Sequence, residues 1–316
     1  MQITGMTLTG ITITAPVPPP PATPKKAIFG YGFSGSGLTG VTNLVSDTGV
    51  VATDTTGVGT IRSDLAAAGY GTDKAIFGYG DDGGGLVSMT NLVSNTGVVA
   101  TDTAGVGTAR MGLAAAGYGS DKAIFGYGYD YNVPTMLNLT NLVSNTGVVA
   151  TDTTGVGTAR AFLAAAGYGT DTAIFGYGAD GSFALQSVTN LVSNTGVVAT
   201  DTTGVGTPRQ ALAATGYGTD KAIFGYGDEF APSISVTNLV SNTGVVATDT
   251  AGVGTARSSL AAAGYGTDTA IFGYGVTTGV AILRSMTNLV SNTGVVATDT
   301  TGVGTARSSL AAASYG

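Results

Sequence analysis

Cysteine, histidine and tryptophan are absent from this chain of 316 residues. The absence of cysteine excludes disulfide bridges, and without cysteine or histidine the usual zinc sites and Ser-His or Cys-His nucleophiles are excluded too. Charged residues make up only 10% of the chain, and its net charge of −7 argues against binding to a nucleic-acid phosphate backbone. We therefore expect no metal, no other cofactor and no nucleic-acid partner.

Long apolar runs are missing as well. No segment approaches the ~18 apolar residues that a membrane helix needs, so we expect no membrane insertion. The N-terminus also lacks the basic and apolar regions of a secretory signal. A cytoplasmic protein is one interpretation, and an extracellular one requires another export route, such as release by lysis of a host cell.

Glycine and internal repetition are abundant. The chain has 52 glycines, and the motif Ala-Ile-Phe-Gly-Tyr-Gly occurs six times at intervals of 48 to 50 residues. Its phenylalanines are Phe29, Phe77, Phe125, Phe175, Phe224 and Phe272. A second marker, Gly-Thr-x-Arg, ends at Arg62, Arg110, Arg160, Arg209, Arg257 and Arg307. Repetition at this period is typical of a propeller, a solenoid or an array.

One unit, from Arg62 to Arg110, contains four short apolar segments separated by turn residues. The four predicted strands are Leu65–Tyr70, Ala75–Tyr79, Asn91–Val93 and Val98–Thr101. No segment has a helical apolar period long enough to form a helix. Four strands per unit indicate an all-β fold, and residues 26–316 are predicted to form a six-bladed β-propeller of four-stranded blades.

The two ends of the repeat region complement each other. The first unit begins at its second strand, Lys26–Gly32, and the last unit ends at its first strand, Leu310–Gly316. Pairing of these two segments would complete the first blade and remove exposed sheet edges. The alternative, an open solenoid, needs polar capping repeats, whereas the terminal units here are as apolar as the others.

The residues before the repeats form two short segments. Residues 1–15 alternate threonine with apolar residues and are predicted to be an extended β-arm, and residues 16–25 are a proline-rich linker. The arm would contact a partner through Ile3, Leu8, Ile11 and Ile13. Two interpretations remain open: a disordered leader, or a strand that adds to the sheet of a partner.

The segment Thr255–Gly275 resembles the kelch repeat. It has an arginine, a strand of small apolar residues, a turn, and an apolar strand that ends in glycines. The resemblance extends over residues 26–316, with Gly-Tyr-Gly in place of the family's glycine pair and without its tryptophan. It implies a β-propeller. The oxidase chemistry of some such propellers requires ligands that are absent here.

Two windows differ among the six units, whereas the rest is nearly identical. The longer windows are Phe33–Val41, Asp81–Met89, Tyr129–Leu139, Ala179–Val188, Asp228–Val236 and Val276–Met286, and the shorter window is the pair after each marker arginine. In an up-and-down blade both windows lie at the same side of the disc. Because loops on a rigid scaffold carry function, we expect the binding site there.

The windows combine aromatic residues with negative charge. They hold seven of the chain's acidic residues and one basic residue. The candidate ligand-binding residues are Phe33, Asp81, Asp82, Tyr129, Asp130, Tyr131, Phe162, Asp180, Phe183, Asp228, Glu229, Phe230 and Arg284. Aromatic anchors and acidic groups suit a sugar, a cation or a basic protein surface. The alternative is drift in unconstrained loops.

Two aspartates recur once in nearly every unit, and both are predicted to be structural. One, exemplified by Asp102, is expected to contact the marker arginine or to accompany arginine–carbonyl bonds. The other, exemplified by Asp73 in the turn, is expected to bond its own backbone. Adjacent carboxylates such as Asp81 and Asp82 could hydrolyse glycosides, but such pairs in glycine-rich loops are more often solvated turn residues.

Three functions fit this pattern. The first is a non-enzymatic binding or structural protein of a virion, since the threonine-rich leader and glycine-rich repeats loosely resemble virion proteins of tailed phages. A tail fibre, appendage or decoration would use the N-terminal arm to contact other virion subunits and the variable face to contact a host surface glycan or protein. The second is a carbohydrate hydrolase that uses loop carboxylates. The third is an intracellular kelch-type scaffold.

Overall fold

A computed structural model describes residues 25–279 and 281–316, and every regular element in these residues is a β-strand. The predicted N-terminal arm and the linker up to residue 24 lie outside the described residues. The anchoring role of Ile3, Leu8, Ile11 and Ile13 therefore stays a prediction.

Six three-stranded antiparallel sheets contain most of the strands, and each has its second strand in the middle. In the order first, second and third strand, sheet 1 is Ala311–Tyr315, Lys26–Gly30 and Thr42–Val45; sheet 2 is Ala66–Tyr70, Lys74–Gly78 and Thr90–Val93; sheet 3 is Ala114–Tyr118, Lys122–Asp130 and Thr135–Val143; sheet 4 is Ala164–Tyr168, Thr172–Gly176 and Thr189–Val192; sheet 5 is Ala213–Tyr217, Lys221–Gly225 and Thr237–Val240; sheet 6 is Ala261–Tyr265, Thr269–Gly273 and Thr287–Val290. Short strands in the variable windows are Phe33–Ser34, Gly37–Leu38, Arg160–Ala161, Ala179–Asp180, Val276–Thr277, Ile282–Leu283 and Arg307–Ser308.

The predicted fourth strand is wrong as a regular strand. The segment after Val98 touches the third strand only through isolated bridges, Val93 to Val99 and Thr90 to Thr103. Between these bridges the side chain of Asn91 donates its Nδ2 to the carbonyl oxygen of Ala100 at 3.0 Å. The bridges set the five residues from Val99 to Thr103 against the four residues from Thr90 to Val93, so the longer segment bulges and forms no continuous ladder. The sheets are therefore three-stranded.

The C-terminal strand completes sheet 1, as expected from the sequence. Residues 311–315 pair antiparallel with residues 26–30, with Ala312 opposite Phe29. Sheet 1 therefore has the same three-strand pattern as the other five sheets, although its first strand comes from the other end of the chain.

Neighbouring sheets pack face to face through six apolar clusters. Each cluster combines residues of two consecutive sheets, and one of them joins sheet 6 to sheet 1. The ring of Phe77 lies directly over Gly30, where a Cβ would stand 2.8 Å from the phenylalanine Cζ. Phe77 also meets Tyr31 edge-on, at 5.2 Å between ring centroids. A glycine at this position lets the aromatic ring lie close to the neighbouring backbone.

The two ends of the sheets are distinct. The second strand of sheet 2 starts at Lys74, beside the turn Gly71–Asp73, and finishes at Gly78, just before a variable window. We call the end with the turns the invariant end and the end with the windows the variable end. The first described residue, Lys25, lies at the invariant end, where it pairs with Gly266.

Two closed cycles of backbone hydrogen bonds join the sheets, one at each end. At the variable end, each donor N–H and acceptor carbonyl lie in adjacent sheets: Asp64 to Ser309, Gly112 to Asp64, Phe162 to Gly112, Ala211 to Phe162, Ser259 to Ala211 and Ser309 to Ser259. At the invariant end the pairs are Gly71 to Asp121, Gly119 to Asp171, Gly169 to Asp220, Gly218 to Asp268, Gly266 to Lys25 and Gly316 to Asp73. Each cycle therefore includes one backbone donor from every unit.

An arginine staple connects each pair of neighbouring sheets. Arg62 is fully buried and stacks 4.5 Å above the ring of Tyr31 in the preceding sheet. Its Nη1 donates to the carbonyl of Thr60 at 3.0 Å, and its Nη2 donates to Asn91 Oδ1 at 2.6 Å. Asp102 lies 4.0 Å from Arg62 and accepts bonds from both the backbone and the hydroxyl of Thr60. The predicted arginine–carbonyl bonds and the aspartate contact are confirmed.

The turn aspartates make further contacts besides the predicted bond to their own backbone, which Asp73 and Asp220 form. Asp73 accepts hydrogen bonds from the amide of Asn95 at 3.2 Å and from the Lys74 ammonium at 3.0 Å. The equivalent asparagine contacts recur in sheets 3 to 6. The carboxylate therefore links the turn to the hairpin after the third strand, because both are at the invariant end.

Candidate functional site

The short and long variable windows lie side by side in every unit. Antiparallel pairing joins Phe33 to Ser308, Ser63 to Asp81, Met111 to Tyr129, Ala161 to Ala179, Gln210 to Asp228, and Ser258 to Val276. The base of a long window is also closed, as where the N–H of Tyr79 donates to the carbonyl of Met89 at 3.0 Å. As expected, the two windows of each unit lie together, at the same end of the sheet.

Long windows of neighbouring units contact one another. The Tyr131 phenol lies close enough to Asp81 of the preceding unit for this carboxylate to raise its pKa. Tyr129 meets Phe183 of the following unit edge-on, at 6.2 Å between ring centroids. With each unit numbered as its sheet, the windows of units 2, 3 and 4 therefore bring together acidic and aromatic residues that are far apart in the sequence.

Three of the predicted aromatic residues are largely exposed at the variable end. Phe33, Phe183 and Phe230 expose 47%, 52% and 57% of their surface. Tyr129 and Tyr131 are half-buried between neighbouring windows. Exposed aromatic side chains lose little conformational freedom on binding, which makes them effective contact residues. The three phenylalanines belong to units 1, 4 and 5, so the aromatic surface is not confined to one unit.

The remaining predicted aromatic, Phe162, lies at the centre of the variable end. Its ring covers Gly112, where a Cβ would stand 2.9 Å from the Phe162 Cδ1. Phe162 has a φ of 55°, which lies in the left-handed region, as do the φ angles of the other residues in the hydrogen-bonded cycle at this end. It stands beside a cavity of about 70 Å³ above six leucines. The leucines are Leu65, Leu113, Leu163, Leu212, Leu260 and Leu310.

Most predicted carboxylates bond to the backbone of their own loop. Asp81 Oδ1 accepts from the N–H of Gly83 at 2.7 Å, and Asp82 Oδ1 accepts from that of Gly84 at 2.8 Å. Asp130 and Asp180 accept in the same way from the residues two positions later. These bonds fix the loop shapes and hold the negative charges at defined places on the variable end.

Asp228, a predicted ligand-binding residue, is largely buried. It is only 8% exposed, and its Oδ1 accepts from the N–H of Phe230 at 3.1 Å. The Gln210 side chain, in the paired short window, is a further donor at 3.3 Å. Asp228 therefore shapes the loop, while the adjacent Glu229 is exposed. Arg284 is half-buried, and its backbone N–H donates to Gly275 at 2.8 Å.

Asp64 is a central residue that the site prediction omitted. It lines the small cavity at the middle of the variable end, together with Phe162 and Ser309. Burial raises the pKa of the Asp64 carboxyl, and hydrogen bonds with Ser309 and Ser63 oppose this effect only in part. The available signal was its place in the short window, where the equivalents are glycine, phenylalanine, alanine and serine.

The negative charges at the variable end influence one another. A hydrogen bond to Asp81 raises the pKa of the Tyr131 phenol, and the charges of Asp82 and Asp130 add to the effect. The acidic groups thus cluster between units 2 and 3, whereas the single basic residue of the windows, Arg284, lies in unit 6. The other three acidic residues of the windows, Asp180, Asp228 and Glu229, lie in units 4 and 5, so the negative charge extends over four neighbouring units.

A larger cavity, of about 310 Å³, opens at the invariant end. It is lined by the first-strand tyrosines and glycines and by turn residues such as Thr72 and Asp121. Over residues 25–279 and 281–316, no group of three or more acidic side chains is arranged to hold a metal ion. In the same ranges, no helix has the length and apolarity to cross a membrane.

No protein-family model matches the sequence, and no curated protein matches it either.

Proposed function

We propose that the six sheets are the blades of a single six-bladed β-propeller. Each sheet packs against two neighbours, and the contacts run from sheet 6 back to sheet 1. The two hydrogen-bonded cycles support the same arrangement, because each passes through all six units. The kelch-like order of arginine, small apolar strand, turn and glycine-ended strand agrees with this fold.

The propeller serves as a non-enzymatic binding protein whose contact surface is the variable end. This proposal rests on the pairing of the two windows with each other in every unit, while the other residues of the units hardly differ. Variation is confined to one end, and that end exposes Phe33, Phe183 and Phe230 beside acidic groups. A rigid scaffold with diverse loops is suited to recognition.

The partner at the variable end is a host surface glycan or protein, and the setting is a virion. The chain before Lys25 joins the propeller at the invariant end, opposite the windows. A tether at one end and a contact surface at the other is the geometry that a tail fibre, appendage or decoration protein needs. Other virion subunits would bind the N-terminal segment.

Binding is favoured over glycoside hydrolysis by the bonding of the loop carboxylates. Asp81 and Asp82 accept hydrogen bonds from backbone N–H groups of their own loop, which is the role of turn residues. A hydrolase needs one carboxyl held as an acid and another held as a base or nucleophile across the substrate.

The proposal is tested with the double variant Tyr129→Ala/Phe183→Ala in the full chain. Binding to host cells or to an array of surface glycans should fall at least tenfold, because the variant removes an aromatic pair that joins two windows. Val98→Ala, an exposed site at the invariant end, is the matched control and should bind normally. Unchanged binding by the double variant would contradict the proposal, as would polysaccharide turnover that disappears in Asp81→Asn/Asp82→Asn.

A further inference from the structure

Asp64 places a carboxylate in the small cavity at the middle of the variable end. The cavity has a volume of about 70 Å³, several times the ~10–15 Å³ that holds one water. Besides the six leucines, its lining includes Asp64, Phe162, Ser259 and Ser309. Among the described residues that line it there is no basic one. The carboxylate therefore has no partner of opposite charge in the cavity.

The other five units have no acidic residue at the position of Asp64. Their residues are Gly112, Phe162, Ala211, Ser259 and Ser309. All six share a left-handed φ between 51° and 60°, and the cycle that joins them uses only backbone N–H and carbonyl groups. The cycle thus forms with a neutral side chain or with none, and it does not require the carboxylate of Asp64.

The carboxylate of Asp64 opposes folding. Burial raises its pKa, and the like charge of Asp81 raises it further. Its hydrogen-bond partners are neutral hydroxyls, Ser63 Oγ at 3.0 Å and Ser309. Because an ionised carboxylate accepts about four hydrogen bonds, acceptor positions remain for a ligand. An acid that lowers stability and has no counter-charge is typical of a site where the ligand supplies that charge.

Phe162 adds an aromatic wall to the same cavity. Gly112 lies between Asp64 and Phe162 in the hydrogen-bonded cycle. The Phe162 ring covers this glycine, whose Cβ would stand 2.9 Å from the ring, so the ring extends from unit 4 over unit 3, on the side of Asp64. A carboxylate and the negative face of an aromatic ring both attract a cation.

We propose that this cavity binds a primary ammonium group carried on an alkyl chain. The ammonium has three N–H donors, which match the acceptor oxygens of Asp64, Ser259 and Ser309. The methylene groups next to it would contact the apolar lining, including the ring of Phe162. Calcium or magnesium suits the cavity less, because these ions take about six or more oxygen ligands and most of the lining is apolar.

Two sources carry this chemistry, a lysine side chain on a protein surface and a free diamine. The inference names a ligand class within the proposed contact surface. It rests on the proposed function only where the source is a host protein, because the cavity and its carboxylate are the same for either source.

The test is a ligand-observed NMR titration of the full chain with n-butylammonium, at about pH 7.5 and constant ionic strength. We expect saturable binding to one site in the millimolar range, and no saturation with n-butanol, which lacks the charge. Asp64→Asn should stay folded and bind at least tenfold more weakly. Asp47→Asn is the matched control, because Asp47 is exposed and the other five units have asparagine there, and it should bind like the wild type.

Three results would overturn the inference: no saturation up to about 100 mM, equal binding of n-butanol, or unchanged binding by Asp64→Asn. The same titration with Nα-acetyl-lysine amide and with putrescine separates the two sources, and preferential binding of either supports the site. Loss of host-cell binding in Tyr129→Ala/Phe183→Ala without any n-butylammonium binding refutes the ammonium site alone. Binding of n-butylammonium by a chain that binds no host surface refutes the proposed function alone.

Discussion

The backbone N–H of Asp64 donates to the carbonyl oxygen of Ser309 at 2.9 Å. This bond links the second unit to the segment just before the last strand of the chain, and the five other bonds in its cycle are 2.7 to 2.9 Å long. The side chains repeat the pattern, because Arg307 bonds Asn43 at 2.7 Å as Arg62 bonds Asn91. The contact between the chain ends is thus chemically equivalent to every other contact between units.

Removal of residues 311–316 should destabilise the whole protein. The truncation exposes the edge of the strand Lys26–Gly30 and breaks the cycle at the invariant end, where Gly316 donates to Asp73. Unpaired strand edges promote aggregation. We expect aggregation during expression or a markedly lower Tm by calorimetry; a truncated monomer with the Tm of the wild type would refute the closed arrangement.

A cross-link across the same strand pair gives the complementary result. Ala27 and Ser314 are direct partners in sheet 1, so that Ala27→Cys/Ser314→Cys places two thiols within disulfide range in a chain that has no other cysteine. Oxidation should raise the stability by about 4 kcal/mol, since the bridge closes a very long loop. Failure to cross-link in the folded protein would contradict the pairing.

Arg160→Lys should cost about 3 kcal/mol of stability in a denaturant titration. Lysine cannot both stack on Tyr127 and donate to the Thr158 carbonyl and to Asn190, and the buried acceptors lose their partner. Lys122→Ala is the control, because Lys122 pairs with Asp121 at the surface, and it should change stability by less than about 1 kcal/mol. Equal effects would mean that the staple is unimportant.

Gly78→Ala should destabilise the protein by about 1–3 kcal/mol through overpacking. The added Cβ would stand 2.8 Å from Cζ of Phe125, which is fully buried between sheets 2 and 3. Gly181→Ala adds the same atom where nothing lies within 4 Å, and it should leave the Tm unchanged. Similar losses for the two variants in thermal unfolding would argue against close packing of the phenylalanine.

Acid should unfold the protein by protonating the aspartate that accompanies the marker arginine in each of the six units. Partial burial alone would raise the pKa of Asp102, but bonds from Thr60 and Asn91 and the charge of Arg62 lower it overall. The other five behave alike. A lowered folded-state pKa contributes stability that is present above the unfolded value, about 3.9, and is lost as pH falls through the folded value. The Tm should be nearly constant from pH 8 to about pH 5 and drop below about pH 4; a step near pH 6.5 is not expected without histidine.

Asp64→Asn should raise the Tm at pH 7. The folded-state pKa of Asp64 is raised by burial, so the charged form costs stability as pH rises through its unfolded pKa and beyond. Asparagine removes that charge and tolerates the φ of 53° at this position. The gain of a few degrees should vanish at pH 3, where the carboxyl is protonated in both states. Equal gains at both pH values would point to a cause other than charge.

The repeat period and the first three strands of each unit were predictable from the sequence. Runs such as Ala-Ile-Phe-Gly carry apolar residues at a strand's spacing, and Gly-Thr-Asp marks the turn between two of them. The pairing of the chain ends followed from the incomplete first and last units. The side of the variable windows followed from strand direction alone.

The features that the sequence did not predict depend on side chains that take the place of backbone hydrogen-bond partners. Asn91 fills the gap where a fourth strand was expected, because its amide bonds both Ala100 and Asp102. Asp228 is buried because Gln210 lies beside it in the neighbouring window, a contact that spans two parts of the sequence. Asp64 gains its unusual environment only because residues from all six units line the same small cavity.

The hydrogen bonds at the base of five of the six long windows have an evolutionary consequence. The bond from Tyr79 to Met89 has a counterpart between Tyr274 and Met286, although the second loop is longer. A loop held at its root in this way can change length and composition without disturbing the frame. Recombination between units could therefore exchange whole loops. New binding specificities would then arise by moving segments within one gene, while the sheets stay unchanged.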